Sequence, residues 1–136
     1  MATEITEGGQ ATLDATAKML DASLPLEDKY DVNFTDHDPA EGQPAGPSGP
    51  AWYWEQFGKS FTDIERDVIE TIATPTRFIT IMNLSGTHTG EFLGHAPTGK
   101  RFTVRNVQVL GFRGGKASDR WGSTDELGIL RQLGLM

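Results

Sequence analysis

No cysteine occurs among the 136 residues, which excludes disulfides, thiolate catalysis and cysteine-ligated zinc. No apolar run approaches the roughly 18 to 20 residues that cross a bilayer. The opening Met1 to Glu7 lacks a basic region followed by an apolar stretch, so the chain reads as soluble, unexported and cytoplasmic. Histidine is scarce: His37, His88 and His95 are dispersed, none has a companion at metal-ligand spacing, and no metal is expected. The glycine-rich segments lack the Gly-Lys-Ser/Thr ending of a phosphate loop. Basic charge is thin where nucleic acid would need it. Residues 1 to 70 carry 15 acids against 4 Lys or Arg, and the 8 bases of residues 71 to 136 are scattered, with Lys100-Arg101 the one adjacent pair. Such a surface is a poor match for a phosphate backbone, and neither nucleic acid nor membrane is an expected partner.

What is present is ordinary globular usage, 37% hydrophobic, 9% aromatic and 23% charged, at a length that suits one domain over residues 1–136. The polar first ten residues are expected to be a mobile tail. Leu13, Ala17, Leu20 and Leu24 then recur at helical spacing, predicting a short amphipathic helix that ends before Pro25. Tyr30, Val32 and Phe34 alternate with polar neighbours, as in a short strand that runs into Asp36-His37-Asp38. Pro39 to Pro50 holds four prolines and three glycines, which forbids helix and ladder and predicts a long loop over the domain surface. Ser48 and Pro50 suit the start of a second helix carrying Trp52, Trp54, Phe57 and Phe61. These aromatics fit either a core or one wall of a cavity for a flat ligand.

The period over Ile64 to Ile72 fits helix and strand alike. Beyond Pro75, alternation predicts a strand through Phe78 to Ser85, an excursion through Gly86 to Lys100, and a long strand over Thr103 to Arg113. Gly114-Gly115 predicts a hairpin turn into a strand at Ala117 to Trp121. Ser123 to Glu126 reads as a capping box ahead of a helix with the stripe Leu127, Leu130 and Leu133. The sum is an α+β fold, a curved antiparallel sheet backed by helices, and such a sheet leaves a cone open to a small molecule.

The segments Gly86-Thr87-His88-Thr89-Gly90-Glu91-Phe92-Leu93-Gly94, Pro97-Thr98-Gly99-Lys100, Gly115-Lys116 and Trp121 with Asp125 to Gly134 resemble the SnoaL-like polyketide cyclase (ester cyclase) family in order and spacing. The resemblance is specific over roughly residues 76 to 135 and looser at Asp36-His37-Asp38-Pro39. It implies a cone-shaped fold like nuclear transport factor 2 (NTF2-like), a homodimer or higher homo-oligomer formed through the sheet, and a cofactor-free site inside the cone. It also implies aldol ring closure of an aromatic polyketide, with an aspartate as general acid and base and a histidine nearby.

Ungapped matching puts Gly122 at the aspartate's position and Gln108 at the histidine's. The parity of those positions turns Asn106, Gln108 and Arg120 into the cone as substrate-binding groups, with Trp54 on the aromatic wall. His37 is the remaining candidate acid or base, and Asp36 and Asp38 fall on the opposite side of their strand from it. Asp125 is explained by the start of the last helix. Three functions follow: a cofactor-independent cyclase acting on a small, hydrophobic or aromatic, carbonyl-rich ligand; a binding protein with the same pocket and no chemistry; and epoxide-hydrolase-like water addition, whose Asp-Arg-Asp arrangement is not evident in the sequence.

Overall fold

Long runs of alternating residues, broken by one glycine hairpin and few prolines, commit most of residues 61–124 to a single sheet. The structure, a computed structural model, describes residues 2–136. The elements run β1 (Ala2–Ile5), α1 (Gln10–Met19), α2 (Leu26–Lys29), β2 (Tyr30–Asp36), α3 (Gly49–Ser60), β3 (Phe61–Ala73), β4 (Arg77–His88), β5 (Arg101–Arg113), β6 (Lys116–Thr124) and α4 (Glu126–Gln132). The six strands lie in the order β1-β3-β4-β5-β6-β2. The central pairs are antiparallel, as a meander of long strands requires, while β1 on β3 and β2 on β6 are parallel. Irregularities in register within β3, between Gly111 and Phe112 on β5, and between Tyr30 and Thr35 on β2 strengthen the local twist, which bends the sheet around its helices. This is the NTF2-like α+β fold.

One face of the sheet holds the core. Leu84 on β4 and Phe102 and Val104 on β5 pack with Phe57 of α3, Phe61 of β3 and Ile129 of α4. A second cluster, Phe34, Phe78, Phe112 and Ala117 with Ala15 of α1, fills the other end. Between the two clusters the same face turns polar at Asn106, Gln108 and Arg120. The turn at Gly114-Gly115 has φ of 58° and 79°, the left-handed backbone such a hairpin demands.

Several local expectations are corrected. Met1 lies outside the described residues, but Ala2–Ile5 of the expected mobile tail pair with β3 from Glu70 to Ala73. The first helix buries Thr12 and Ala15 rather than the leucine stripe, and Leu20 is 86% exposed. The Thr12 hydroxyl donates to the Thr74 carbonyl at 2.7 Å, so a polar anchor does what apolar spacing was expected to do. The ambiguous segment around Ile64 to Ile72 is strand, because β4 pairs along most of its length. Phe61 opens β3 instead of closing α3. The last helix is capped by Asp125, whose Oδ1 accepts from Gly128 N–H at 2.8 Å, while Ser123 remains in β6.

Candidate functional site

Register on the inner face decides which polar side chains meet. Gln108 lies opposite Gly122, Asn106 opposite Thr124, and Leu110 opposite Arg120, so all six share one face of β5 and β6. The parallel pairing of β2 adds Asp36 beside Arg120. A continuous hydrogen-bonded chain results. Asn106 Nδ2 donates to Thr124 Oγ1 at 2.6 Å, Gln108 Nε2 donates to Asn106 Oδ1 at 2.9 Å, and Arg120 Nε donates to Gln108 Oε1 at 2.9 Å. Arg120 Nη1 then donates to both Asp36 oxygens, at 3.1 and 3.2 Å, and to the main-chain carbonyl of Asp38 at 3.2 Å. With side-chain exposures of 14% for Arg120 and 7% for Asp36, this ion pair is largely withdrawn from water, which is tolerable only because its members are multiply bonded.

Glycine at position 122 leaves room for the side chains of its neighbours. A Cβ there would lie 2.6 Å from Arg120 Nη2 and 2.7 Å from Gln108 Oε1, so the guanidinium and amide occupy the space that a side chain would take. The main chain of Gly122 is used instead, its N–H donating to Asp38 Oδ2 at 3.0 Å. Asp38 is held at two further points, its N–H donating to Asp36 Oδ1 at 3.0 Å and its carbonyl accepting from Arg120.

Arg120, Gly122, Asp38 and Thr124 line the polar end of a cleft, a chamber of about 180 Å³ completed by Tyr53 and Glu126. A larger chamber of about 470 Å³ shares Pro39, Ala40, Tyr53 and Glu126 with it, and is walled by Trp52, Phe57, Phe92 and Leu93. Tyr53 therefore stands at the junction. Burial raises its phenol above the ordinary tyrosine value, opposed by Thr124, reinforced by the Glu126 charge and opposed again by Arg120. The hydroxyl is thus protonated throughout the neutral range and is available as a donor. The adjoining aromatic surface offers a flat ligand stacking partners, and the polar end offers donors for its carbonyl oxygens.

The sequence-derived candidates divide among four places. Arg120 lines the cleft. Asn106 is completely buried and, with Gln108, forms the support that orients Arg120 rather than part of the cleft wall. Trp54 packs edge-on against Phe57 and carries the Arg66 guanidinium 4.5 Å above its ring, while its neighbours Trp52 and Tyr53 face the cleft. His37 does not meet the Arg120 network. Its Nε2 is 2.8 Å from Asp119 Oδ1, and its ring stacks on Trp121 at 4.6 Å, so it belongs with the residues that alternate to the opposite face of β6. The sequence reading missed Tyr53, Asp38, Thr124 and Glu126. An Asp36-Arg120-Asp38 cluster, not evident in the sequence, does form, although Arg120 reaches the main-chain carbonyl of Asp38 and not its carboxylate.

The fold recurs in solved structures. TsrD from Streptomyces laurentii superimposes with a TM-score of 0.75 at 20% identity, covering 93% of this chain and 97% of that one. A proposed polyketide cyclase from Bacillus cereus gives 0.76 at 19% identity, covering 99% and 91%. IdmH of Streptomyces antibioticus, also a proposed polyketide cyclase, gives 0.69 at 27% identity, covering 92% and 99%. No curated protein sequence matches. No helix among the described residues is long and apolar enough to cross a membrane. The sequence profile of the SnoaL-like polyketide cyclases matches residues 15–133, nearly the whole chain, and the protein belongs to that family.

Proposed function

We propose that the protein is a cofactor-independent enzyme that moves a proton on a flat, carbonyl-rich, polyketide-like substrate. The observation that carries this reading is the junction at Tyr53, where an aromatic chamber adjoins the polar one lined by Arg120, Asp38 and Glu126. A ring system lying against Trp52 and Phe57 would present its carbonyl oxygen to the Tyr53 hydroxyl and the Arg120 guanidinium. Those donors stabilise negative charge on the oxygen as a carboxylate removes the α-proton, and the C–H bonding pair becomes the enolate double bond. Attack of the enolate carbon on a second carbonyl of the same molecule forms the new C–C bond, and the second oxygen takes the proton back. The net reaction is a ring closure without loss of atoms.

The test is proton exchange. An aromatic β-ketoester incubated with the protein in deuterium oxide should exchange its α-hydrogen well above the buffer rate, followed by mass spectrometry, and Tyr53→Phe with Arg120→Lys should suppress it. A second reading, a binding protein without chemistry, is favoured by Gly122 and Gln108, which supply no titratable group at the positions where the family resemblance calls for aspartate and histidine. Tight binding of the ester with no exchange would select it. The outer face of the sheet supports a homo-oligomer: Ile81 opposite Val107 and Ile79 opposite Val109 form a half-buried aliphatic patch.

A further inference from the structure

We infer that Asp38 is the proton-transferring carboxylate of this cleft, supplied from the loop after β2 in place of a side chain at position 122. The assignment rests on the proton-transfer reading above and deepens it. The space at Gly122 is already filled by Arg120 and Gln108, so no side chain at that position fits without displacing the network. The Gly122 N–H compensates by fixing the Asp38 carboxylate over the same stretch of β6, at 3.0 Å from Oδ2.

Three contacts preorganise Asp38: its N–H on Asp36, its carbonyl under Arg120, and its Oδ2 on Gly122. No described residue bonds its other oxygen, Oδ1, which is left to receive a proton. Asp36, by contrast, has both oxygens engaged, by Arg120 on each and by Gln43 and the Asp38 N–H. Glu126, which lines both chambers, and Glu41, which lines the larger one, make no side-chain hydrogen bond to any described residue and so lack a fixed position. Among the described carboxylates that line the cleft, only Asp38 is both anchored and open. Arg120 has one nitrogen, Nη2, with no acceptor among the described residues, and it lines the cleft beside Asp38. A carbonyl held by Nη2 and the Tyr53 hydroxyl would therefore meet a carboxylate already in place. The proton leaves carbon for Asp38 Oδ1, the resulting carboxylic acid keeps it while the enolate reacts, and it returns to the newly formed alkoxide.

The experiment compares wild-type protein, Asp38→Asn, Glu126→Gln and His37→Ala in the deuterium-exchange assay, with binding of the same β-ketoester measured by tryptophan fluorescence. Asn retains an oxygen for the Gly122 N–H, so the expected result is an exchange rate about 100-fold or more below wild type with ligand affinity kept. Asp38→Ala provides a second route should the asparagine variant fold poorly: added formate should restore exchange to it, which a purely structural role would not allow. Exchange that survives in Asp38→Asn but is lost in Glu126→Gln or His37→Ala overturns the assignment and leaves the proton-transfer reading standing. A wild-type protein that binds the ester and exchanges nothing overturns both.

Discussion

Single residues divide the work of this site between its two sides. On the inner face, Gly122 makes room for Arg120, and Arg120 draws Asp36 and the Asp38 main chain toward β6. On the outer face, Asp119 takes hydrogen bonds from His37 at 2.8 Å and from the Ser118 hydroxyl at 2.7 Å. Those bonds, His37 first, hold the Asp119 carboxyl below its ordinary value of 3.8, with further help from the charges of His37 and Arg77 and some opposition from burial. A carboxylate depressed by folding stabilises the native state at pH values above its unfolded pKa, and that contribution fades as the pH falls through the folded one. Asp119→Asn should therefore lower the urea midpoint at about pH 7, and the gap from wild type should narrow as the pH falls below 3.8. A gap that is constant with pH would show that charge plays no part. The Asp119–His37 contact was invisible to local sequence reading because the two residues are brought together across the β2–β6 pair from 82 positions apart.

Among the elements, α4 shows how a short segment is held. Its seven residues are too few to be helical in isolation, and it persists by burying Ile129 against the first apolar cluster, with Leu133 just beyond its end. Its start is set by Asp125, which leaves Ser123 free to finish β6. Asp125→Ala should cost about 1 kcal/mol in equilibrium unfolding. An equal loss on Ser123→Ala would contradict the observed cap. The hairpin at Gly114-Gly115, the strands β4 and β5, and the aromatic helix α3 were all legible in the sequence, since turn chemistry and alternation are local properties. The strand β3 was not: with Val68 and Ile72 half-buried and Ile69 exposed, its inner and outer residues are too mixed to give a clean period, and its backbone partner on β4 settles the matter. β1 was missed for the same reason, being a four-residue edge strand too short to show a period, which exists by pairing with β3.

At the scale of the whole molecule, a strongly curved sheet leaves one face for the core and cleft and the other for water or another copy. The outer patch around Ile79, Ile81, Val107 and Val109 is half-buried in the single chain. Sedimentation equilibrium should find a homo-oligomer, and Ile81→Lys, which places a charge in the middle of that patch, should shift it to monomer with the fold intact by circular dichroism. A wild-type monomer at micromolar concentration would remove the patch from any role in assembly.

Composition, turn signals and strand alternation were enough to determine an α+β cone with a cavity, and the motif run from Gly86 to Gly134 was enough to indicate the family, because each depends on residues near one another in the chain. The parity of β5 likewise put Asn106 and Gln108 on one face. Only the tertiary structure decided that these amides support Arg120 instead of lining the cleft, that His37 lies behind β6, and that Asp38 arrives beside Gly122. Those outcomes turn on which strands become neighbours and how a loop crosses them, and pairing between residues more than 80 positions apart leaves no periodic trace in the sequence.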